Sequence, residues 1–146
     1  MKTIRFTKKH PLYKCFSNFY PIEITYEGMT YNSAEAAFQA AKCVNDLERR
    51  QFTYMTPLQA KRTGRYVRLR PDWEDIKYQV MLDICTIKFS DPALHDILKN
   101  TGDAIIIEDT TAWHDNIWGD CQCPRCKNIP GKNLLGKALM EVRKNL

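Results

Sequence analysis

Two acids and an indole stand close together near the C-terminus. Residues 115–121 read DNIWGDC, and after a cysteine-rich loop residues 131–136 read GKNLLG. Carboxylates bind polar groups, an indole stacks on flat ones, and glycines allow backbone to approach a ligand closely. This loop therefore predicts a ligand site, with candidate residues Asp115, Trp118, Gly119 and Asp120.

A second polar set lies on a predicted helix that begins after Ser33. Glu35, Gln39 and Lys42 are spaced i, i+4 and i+7, so their side chains project from one stripe. One interpretation is a solvated helix face with an ordinary ion pair. The other is a pocket wall made of an acid, an amide and an amine. The alanines beside the stripe favour the pocket, because a solvated face is usually richer in charged residues.

Three cysteines follow the acidic loop, at Cys121, Cys123 and Cys126. The last two have the spacing of a zinc knuckle, and Cys121, Cys15 or His114 could complete four ligands. A second Cys-x-x-Cys pair is missing from the sequence, which leaves free thiols as the alternative. We expect a structural zinc site or reduced cysteines in preference to disulfides, since no export signal is recognisable.

Two further features allow both a binding and a structural interpretation. A basic run contains four arginines, of which Arg65 and Arg70 are the first candidates for binding a substrate phosphate. The same run could be a solvated edge. Trp73 begins a long amphipathic segment, where a tryptophan is more often a packing residue than a ligand contact.

Length and composition favour one globular domain. The chain has 146 residues, 44% of them hydrophobic, and contains no repeat or Gly/Ser linker. It lacks a run of 18 apolar residues and a signal-peptide pattern, so we expect no membrane association and a cytoplasmic location. The net charge of +5 favours polyanionic partners only weakly, because 17 acidic residues are spread among 22 basic ones. Phosphorylated small molecules fit this charge as well as nucleic acid does.

The hydrophobic pattern predicts a few short strands and a larger share of helix. Strands are expected at 3–6 and 104–108, with a hairpin over 22–31. Caps and apolar spacing predict the helices. They are expected over 34–44, from Pro57 onward, from Asp72 to Phe89, over 92–99 and over 132–144. Together these elements predict a compact, mostly helical α+β domain.

In order and spacing, the motifs of this chain resemble the NADAR family of YbiA-like proteins. The matching segments are FSNF at 16–19, SAE at 33–35, FQAAK at 38–42, RPDW at 70–73, WGD at 118–120 and GKNLLG at 131–136. The resemblance implies a single YbiA-like domain over residues 1–146 and N-glycosidase activity on ribosylated bases. It implies two substrate classes: phosphorylated early intermediates of riboflavin biosynthesis, and ADP-ribose attached to guanine bases. We expect no required cofactor.

The resemblance also implies roles for individual residues. Glu35, Lys42 and Asp120 occupy motif positions and are the catalytic candidates. Cleaving a C–N bond to ribose builds positive charge on the anomeric carbon, and the departing base needs a proton, so two carboxylates could divide these tasks. Alternatively, the Lys42 amine could form a Schiff base with a ring-opened ribosylamine. The candidate substrate-binding residues are Ser17, Asn18, Phe19, Gln39, Arg65, Arg70, Trp73, Asp115, Trp118 and Gly119.

Two classes of function stay open on the sequence. The first is an N-glycosidase acting on a ribosylated or ADP-ribosylated small molecule, or on such a base in single-stranded DNA or RNA. The second is a non-catalytic module that binds ADP-ribose or NAD. The carboxylates and the lysine favour the enzyme, because a mere binder gains little from negative charge beside a phosphorylated ligand.

Overall fold

Short strands and helices follow one another largely as the hydrophobic pattern predicts. The computed structural model describes residues 2–146. The strands are β1 (Thr3–Phe6), β2 (Pro21–Tyr26), β3 (Met29–Ser33) and β4 (Ile105–Glu108). The helices are α1 (Ala34–Ala41), α2 (Asp46–Arg50), α3 (Pro57–Thr63), α4 (Trp73–Lys88), α5 (Pro92–Lys99) and α6 (Leu134–Lys144). Two 3₁₀ turns, Lys14–Phe16 and Gln51–Tyr54, complete the set.

Contacts divide the chain into two units, each with its own core. Unit 1 combines Met1–Ser17 with Pro92–Leu146, and unit 2 is Asn18–Asp91. The single domain expected from the sequence stays a prediction. Within residues 2–146, no helix combines the length and apolar character needed to cross a membrane.

Unit 2 consists of an antiparallel hairpin with helices packed on it. Strands β2 and β3 pair with Ile24 opposite Tyr31, and both of these side chains are buried. Ser33 ends β3 and caps α1, because its hydroxyl accepts a hydrogen bond from the Ala36 N–H at 3.1 Å. The alanines of α1 are buried, which lets this helix pack closely against α3 and α4. The hairpin and α4 thus hold α1 in the middle of the unit.

Unit 1 consists of a two-stranded parallel sheet covered by α6. Strands β1 and β4 pair in register, Ile4 with Ile106, and both residues are buried. Helix α6 packs on β4 through Leu135 and Leu139, which are fully buried. The apolar spacing of α6 is therefore explained by burial against this sheet.

The structure differs most from the expected elements in two places. Helix α1 ends at Ala41 instead of residue 44, because Cys43 forms an isolated antiparallel bridge with Leu69 and leaves the helical path. Helix α2 was not expected, since five residues without a buried side chain give no hydrophobic periodicity. The feature of the sequence that could have predicted α2 is its N-cap residue, Asn45, whose side chain accepts a hydrogen bond from the Glu48 N–H at 2.9 Å.

Candidate active site

The polar stripe of helix α1 is buried in unit 2. Glu35 is 8% exposed and Gln39 is 7% exposed, so the solvated-face interpretation of this stripe does not hold. The backbone N–H of Glu35 donates to the Asn18 carbonyl oxygen at 2.9 Å, which fixes the loop that contains Asn18 against the start of α1. A buried carboxylate and amide on one helix are costly to keep unless they are used or satisfied.

Lys42 forms the C-terminal cap of α1, two turns after Glu35. Burial lowers the pKa of the Lys42 amine, the Glu35 carboxylate opposes this shift, and the charge of Arg65 adds to the lowering. The net effect is a pKa below the ordinary lysine value. Lys42 therefore has a larger neutral fraction, and is a better nucleophile, than a solvated lysine.

Three buried side-chain oxygens of unit 2 have no hydrogen-bond partner among residues 2–146: Oδ1 of Asn18, Oε1 of Gln39 and Oε2 of Glu48. The first two belong to residues that the sequence predicted to bind substrate. Gly64 lies directly against the Gln39 amide, since a Cβ added at Gly64 would fall 2.0 Å from Oε1. Buried acceptors are normally satisfied, so these two oxygens are suited to accept hydrogen bonds from a ligand.

The two arginines that the sequence predicted to bind phosphate differ in their availability for a ligand. Arg70 is occupied by contacts within unit 2. Its guanidinium donates two hydrogen bonds to the Asp72 carboxylate, at 2.7 and 3.2 Å, and its backbone N–H donates to the Lys42 carbonyl oxygen at 2.9 Å. Arg65 is exposed, and its charge acts on Lys42. Arg65 is therefore the better candidate for binding a substrate phosphate near the amine.

Two aromatic candidates of unit 2 take different positions. Trp73 is 6% exposed and packs on Phe38, with ring centroids 5.1 Å apart, so it contributes to the core of the unit. Phe19 is half-buried, with the Lys61 ammonium 5.8 Å from its ring centroid. Phe19 thus keeps an accessible ring on the loop that contains Asn18.

Asp120 lies in unit 1, at the end of β4, and both of its carboxylate oxygens accept hydrogen bonds. Oδ2 accepts from Arg5 Nη1 at 3.1 Å and from the amide of Gln122, while Oδ1 accepts from the Gly131 N–H at 2.8 Å. Burial alone would raise the pKa of this carboxyl, but hydrogen bonds from Gly131, Gln122 and Arg5 hold it below its usual value. Asp120 is therefore an anion at neutral pH and is poorly suited to donate a proton.

The other residues of the predicted loop site mainly build the loop itself. One Asp115 oxygen, Oδ1, accepts from the N–H groups of Ile117 and Trp118, at 2.8 and 3.0 Å. Gly119 is buried, and a Cβ there would meet the Glu108 carbonyl oxygen at 2.7 Å. The Trp118 side chain is half-buried. Trp118 is thus the member of this loop with ring surface left to meet a ligand.

The GKNLLG segment closes the same loop by approaching the chain's own backbone. A Cβ at Gly131 would lie 2.4 Å from the Gly119 carbonyl oxygen, and one at Gly136 would lie 2.1 Å from that of Ile106. Asn133, in a left-handed conformation with φ of 51°, accepts from the Glu108 N–H at 3.1 Å and donates to Ile106 at 2.9 Å. The glycines and the asparagine of the GKNLLG segment are therefore explained by close packing against the chain's own backbone, including that of β4.

Ser17, Cys15 and the three cysteines of the loop after Asp120 belong to unit 1 as well. Ser17 is buried and ends the first 3₁₀ turn. Near the Asp120 loop, the structure brings His114 together with Cys121, Cys123 and Cys126, whose ligand atoms all lie within 4.8 Å of one another. Cys15, the other fourth-ligand candidate, is not in this group.

Arg5 was missed by the sequence reasoning. Besides its bond to the Asp120 carboxylate, its guanidinium donates to the Asp120 carbonyl at 3.1 Å and lies 3.5 Å from Asp109. Strand alternation gives a weak signal for it, since Arg5 stands between the buried Ile4 and Phe6 and must point to the other face. Its partner could not be identified without the fold.

A buried acid and a lysine of lowered pKa on one helix of an α+β fold are typical of an enzyme. The sequence model of the NADAR domain family matches residues 5–146, and the chain belongs to this family. The similar proteins include an N-glycosidase of Nostoc punctiforme, 34% identical over 99% of this chain and 92% of that protein. They also include the N-glycosidase YbiA of Escherichia coli, 36% identical over 92% of this chain and 82% of that protein.

Comparison with solved structures supports the same family assignment. The NMR structure of Escherichia coli YbiA matches with a TM-score of 0.83 and 35% sequence identity, covering 99% of this chain and 84% of that one. A riboflavin biosynthesis protein of Vibrio vulnificus is 35% identical over 89% of this chain, which spans 35% of that longer protein. The predicted YbiA-like fold and the predicted enzyme class, a hydrolase acting on N-glycosyl bonds, are both confirmed. The substrate is a glycosylated compound.

Proposed function

We propose that this chain hydrolyses the N-glycosidic bond between a phosphorylated ribose and a base or amine, using Glu35 and Lys42. The observation that carries the proposal is the burial of an acid on the same helix as a lysine of lowered pKa. The two substrate classes are early ribosylamino intermediates of riboflavin biosynthesis and ADP-ribose on guanine. The first is favoured by similar proteins named for riboflavin biosynthesis. The second fits the net charge of +5.

The substrate contacts follow from the unsatisfied groups of unit 2. The Gln39 and Asn18 oxygens accept hydrogen bonds from ribose hydroxyls or from N–H groups of the base. The exposed Arg65 guanidinium binds phosphate. Phe19 offers a ring face to the base. The substrate contact of Trp118 and the catalytic role of Asp120, both in unit 1, stay predictions of the family resemblance.

The bond is broken by transfer of the sugar to lysine. Glu35 in its acid form protonates the ring oxygen as the ribosylamine opens to an iminium at C1. Neutral Lys42 adds to C1, and a proton passes from its nitrogen to the base nitrogen through Glu35. The C–N bond to the base then breaks, and the base leaves as a free amine. Water adds to the remaining protonated lysine imine, the C–N bond to Lys42 breaks, and the surplus proton passes to the Glu35 carboxylate. The ribose aldehyde is released with Lys42 neutral and Glu35 in its acid form again.

A parallel turnover assay tests the proposed function. Guanine-linked ADP-ribose in single-stranded DNA and a ribosylaminopyrimidine phosphate are incubated with the wild type and with Glu35→Ala. We expect release of the free base and the sugar phosphate from at least one substrate, with turnover lost in the variant. Binding of both substrates without release of either product would favour the non-catalytic ADP-ribose or NAD-binding module instead.

A further inference from the structure

Four metal-ligating side chains of unit 1 converge beside the Asp120 loop. They are His114, Cys121, Cys123 and Cys126, and their ligand atoms all lie within 4.8 Å of one another. Among them, His114 Nδ1 lies 3.3 Å from Cys121 Sγ. One imidazole and three thiols thus surround a common point.

The backbone holds these side chains in place by local hydrogen bonds. The N–H groups of Cys126 and Lys127 both donate to the Cys123 carbonyl, each at 2.9 Å, and this tight turn brings the thiols of Cys123 and Cys126 together. His114 has φ of 63°, a conformation that costs free energy for a residue with a side chain. Its backbone N–H donates to the Thr110 carbonyl oxygen at 2.7 Å, which fixes the backbone at His114.

The loop that contains these residues has little apolar core to keep it folded. Between Cys121 and Gly131, only Cys121 and Cys123 are buried, and Ile129 is 56% exposed. A segment of this composition gains little from hydrophobic burial, whereas a metal bound by several of its side chains can supply the missing free energy. The cysteines are therefore placed where a metal would stabilise the loop most.

We propose that His114, Cys121, Cys123 and Cys126 form a structural zinc site. Zinc takes four ligands in a tetrahedron, with Zn–S near 2.3 Å and Zn–N near 2.0 Å, so that its ligand atoms lie roughly 3.5–4 Å apart. The 4.8 Å limit on this cluster is compatible with that arrangement. Three thiolates select a soft or borderline metal over magnesium or calcium. All four ligands belong to the protein, so no position stays open for a catalytic water.

Free thiols and a disulfide are the competing explanations of the cysteines. A disulfide would join two of the three thiols and would give no role to the third or to His114, which has an unfavourable φ and lies 3.3 Å from Cys121. Zinc accounts for all four side chains at once. The zinc proposal does not rest on the proposed glycosidase chemistry of Glu35 and Lys42, because its test measures bound metal and not turnover.

Metal analysis of the full chain, purified from zinc-containing medium without chelator, tests the site. We expect about one zinc per chain, and at least a tenfold loss of bound zinc in Cys126→Ser. The control Cys85→Ser removes a buried thiol of unit 2 and should keep its zinc. His114→Cys should also keep zinc, since four thiolates are a common structural set, and Co²⁺ in its place should show a stronger thiolate charge-transfer absorption than in the wild type.

Tryptic mapping of the wild type keeps the test independent of variant folding. Arg125 is an exposed trypsin site inside the loop. Cleavage after Arg125 should accelerate at least tenfold when a strong chelator is added, and should slow again when zinc is restored. Zinc content far below one per chain, equal zinc in Cys126→Ser, or an intact mass that shows the loss of two hydrogens to a disulfide would each overturn the proposal.

Discussion

The guanidinium of Arg5 and the carboxylate of Asp120 meet at 3.1 Å, although 115 residues separate them along the chain. Arg5 stands on β1 and Asp120 follows β4, so the parallel pairing of these strands creates the contact. The same arginine lies 3.5 Å from Asp109. The Arg5 guanidinium thus pairs with two carboxylates at the end of the sheet, and one of them belongs to Asp120, the aspartate of the WGD motif.

Removing the Arg5 cation should destabilise the protein. In Arg5→Met we expect a loss of about 1–2 kcal/mol in the free energy of unfolding, measured by urea denaturation at neutral pH, because two partly buried carboxylates lose their partner. The exposed Arg62→Met is the matched control and should change stability little.

The pH dependence of this loss has a definite sign. The pKa of Asp120 is lowered in the folded state, so its stabilisation is present above the pKa of the unfolded chain and is lost as pH falls through the folded value. The difference between the wild type and Arg5→Met should therefore shrink below about pH 4. An unchanged difference at low pH would contradict the ion-pair account.

The local elements were predictable because their signals are local. Ser33 before an alanine run marks the start of α1, and Thr56 before Pro57 marks α3 with a full capping box. The end of α1 was not predictable, because Cys43 leaves the helix to meet Leu69, a contact between distant residues.

The candidate site was predictable in its residue types but not in its details. Spacing placed Glu35 and Gln39 on one stripe, whereas their burial depends on packing against α3 and α4. Nor could the sequence distinguish Arg65 from Arg70, since the pairing of Arg70 with Asp72 is a matter of side-chain geometry. From the sequence, His114 was one of several candidates for a fourth metal ligand. Its proximity to the thiols depends on the turn at Cys123, which the sequence did not show.

Lys42 should be indispensable for turnover. Lys42→Met removes the nucleophile while keeping an unbranched side chain, and we expect kcat to fall at least about a hundredfold. Lys42→Arg keeps the positive charge but cannot form an imine, so it should be equally inactive. Borohydride should trap a sugar-phosphate adduct on the wild type during turnover. A Lys42→Met variant with most of its kcat would exclude the Schiff-base route.

Arg65 should tune the pH dependence of the reaction. Its charge lowers the pKa of Lys42, so Arg65→Ala should raise that pKa, and the rising limb of the kcat profile should move to higher pH. Loss of phosphate binding should separately raise KM. Arg62→Ala, which removes an exposed charge from the same basic run, should leave the limb in place. A rise in KM alone would mean that Arg65 binds phosphate without influencing Lys42.

Gly64 should act on the site through Gln39. Alanine at position 64 would place a Cβ 2.0 Å from Gln39 Oε1 and displace the end of a flexible side chain, so activity should fall about tenfold with little loss of stability. Gln39→Ala should produce a similar loss, and the double variant should lose no more than either single one. Additive losses would show that the Gln39 oxygen does not mediate the effect.

The most direct measurement of the central claim compares binding and bond cleavage in Glu35→Gln. This variant keeps the size of a side chain that is 8% exposed, and it removes only the acid. Calorimetry would give the affinity for the ribosylated substrate, and chromatography would give the free base and the sugar phosphate released per enzyme. We predict that the wild type forms the two products in equal amounts over many turnovers. Glu35→Gln should bind within about tenfold of the wild-type affinity and cleave at least about a hundredfold more slowly. Cleavage at the wild-type rate by Glu35→Gln would contradict the account.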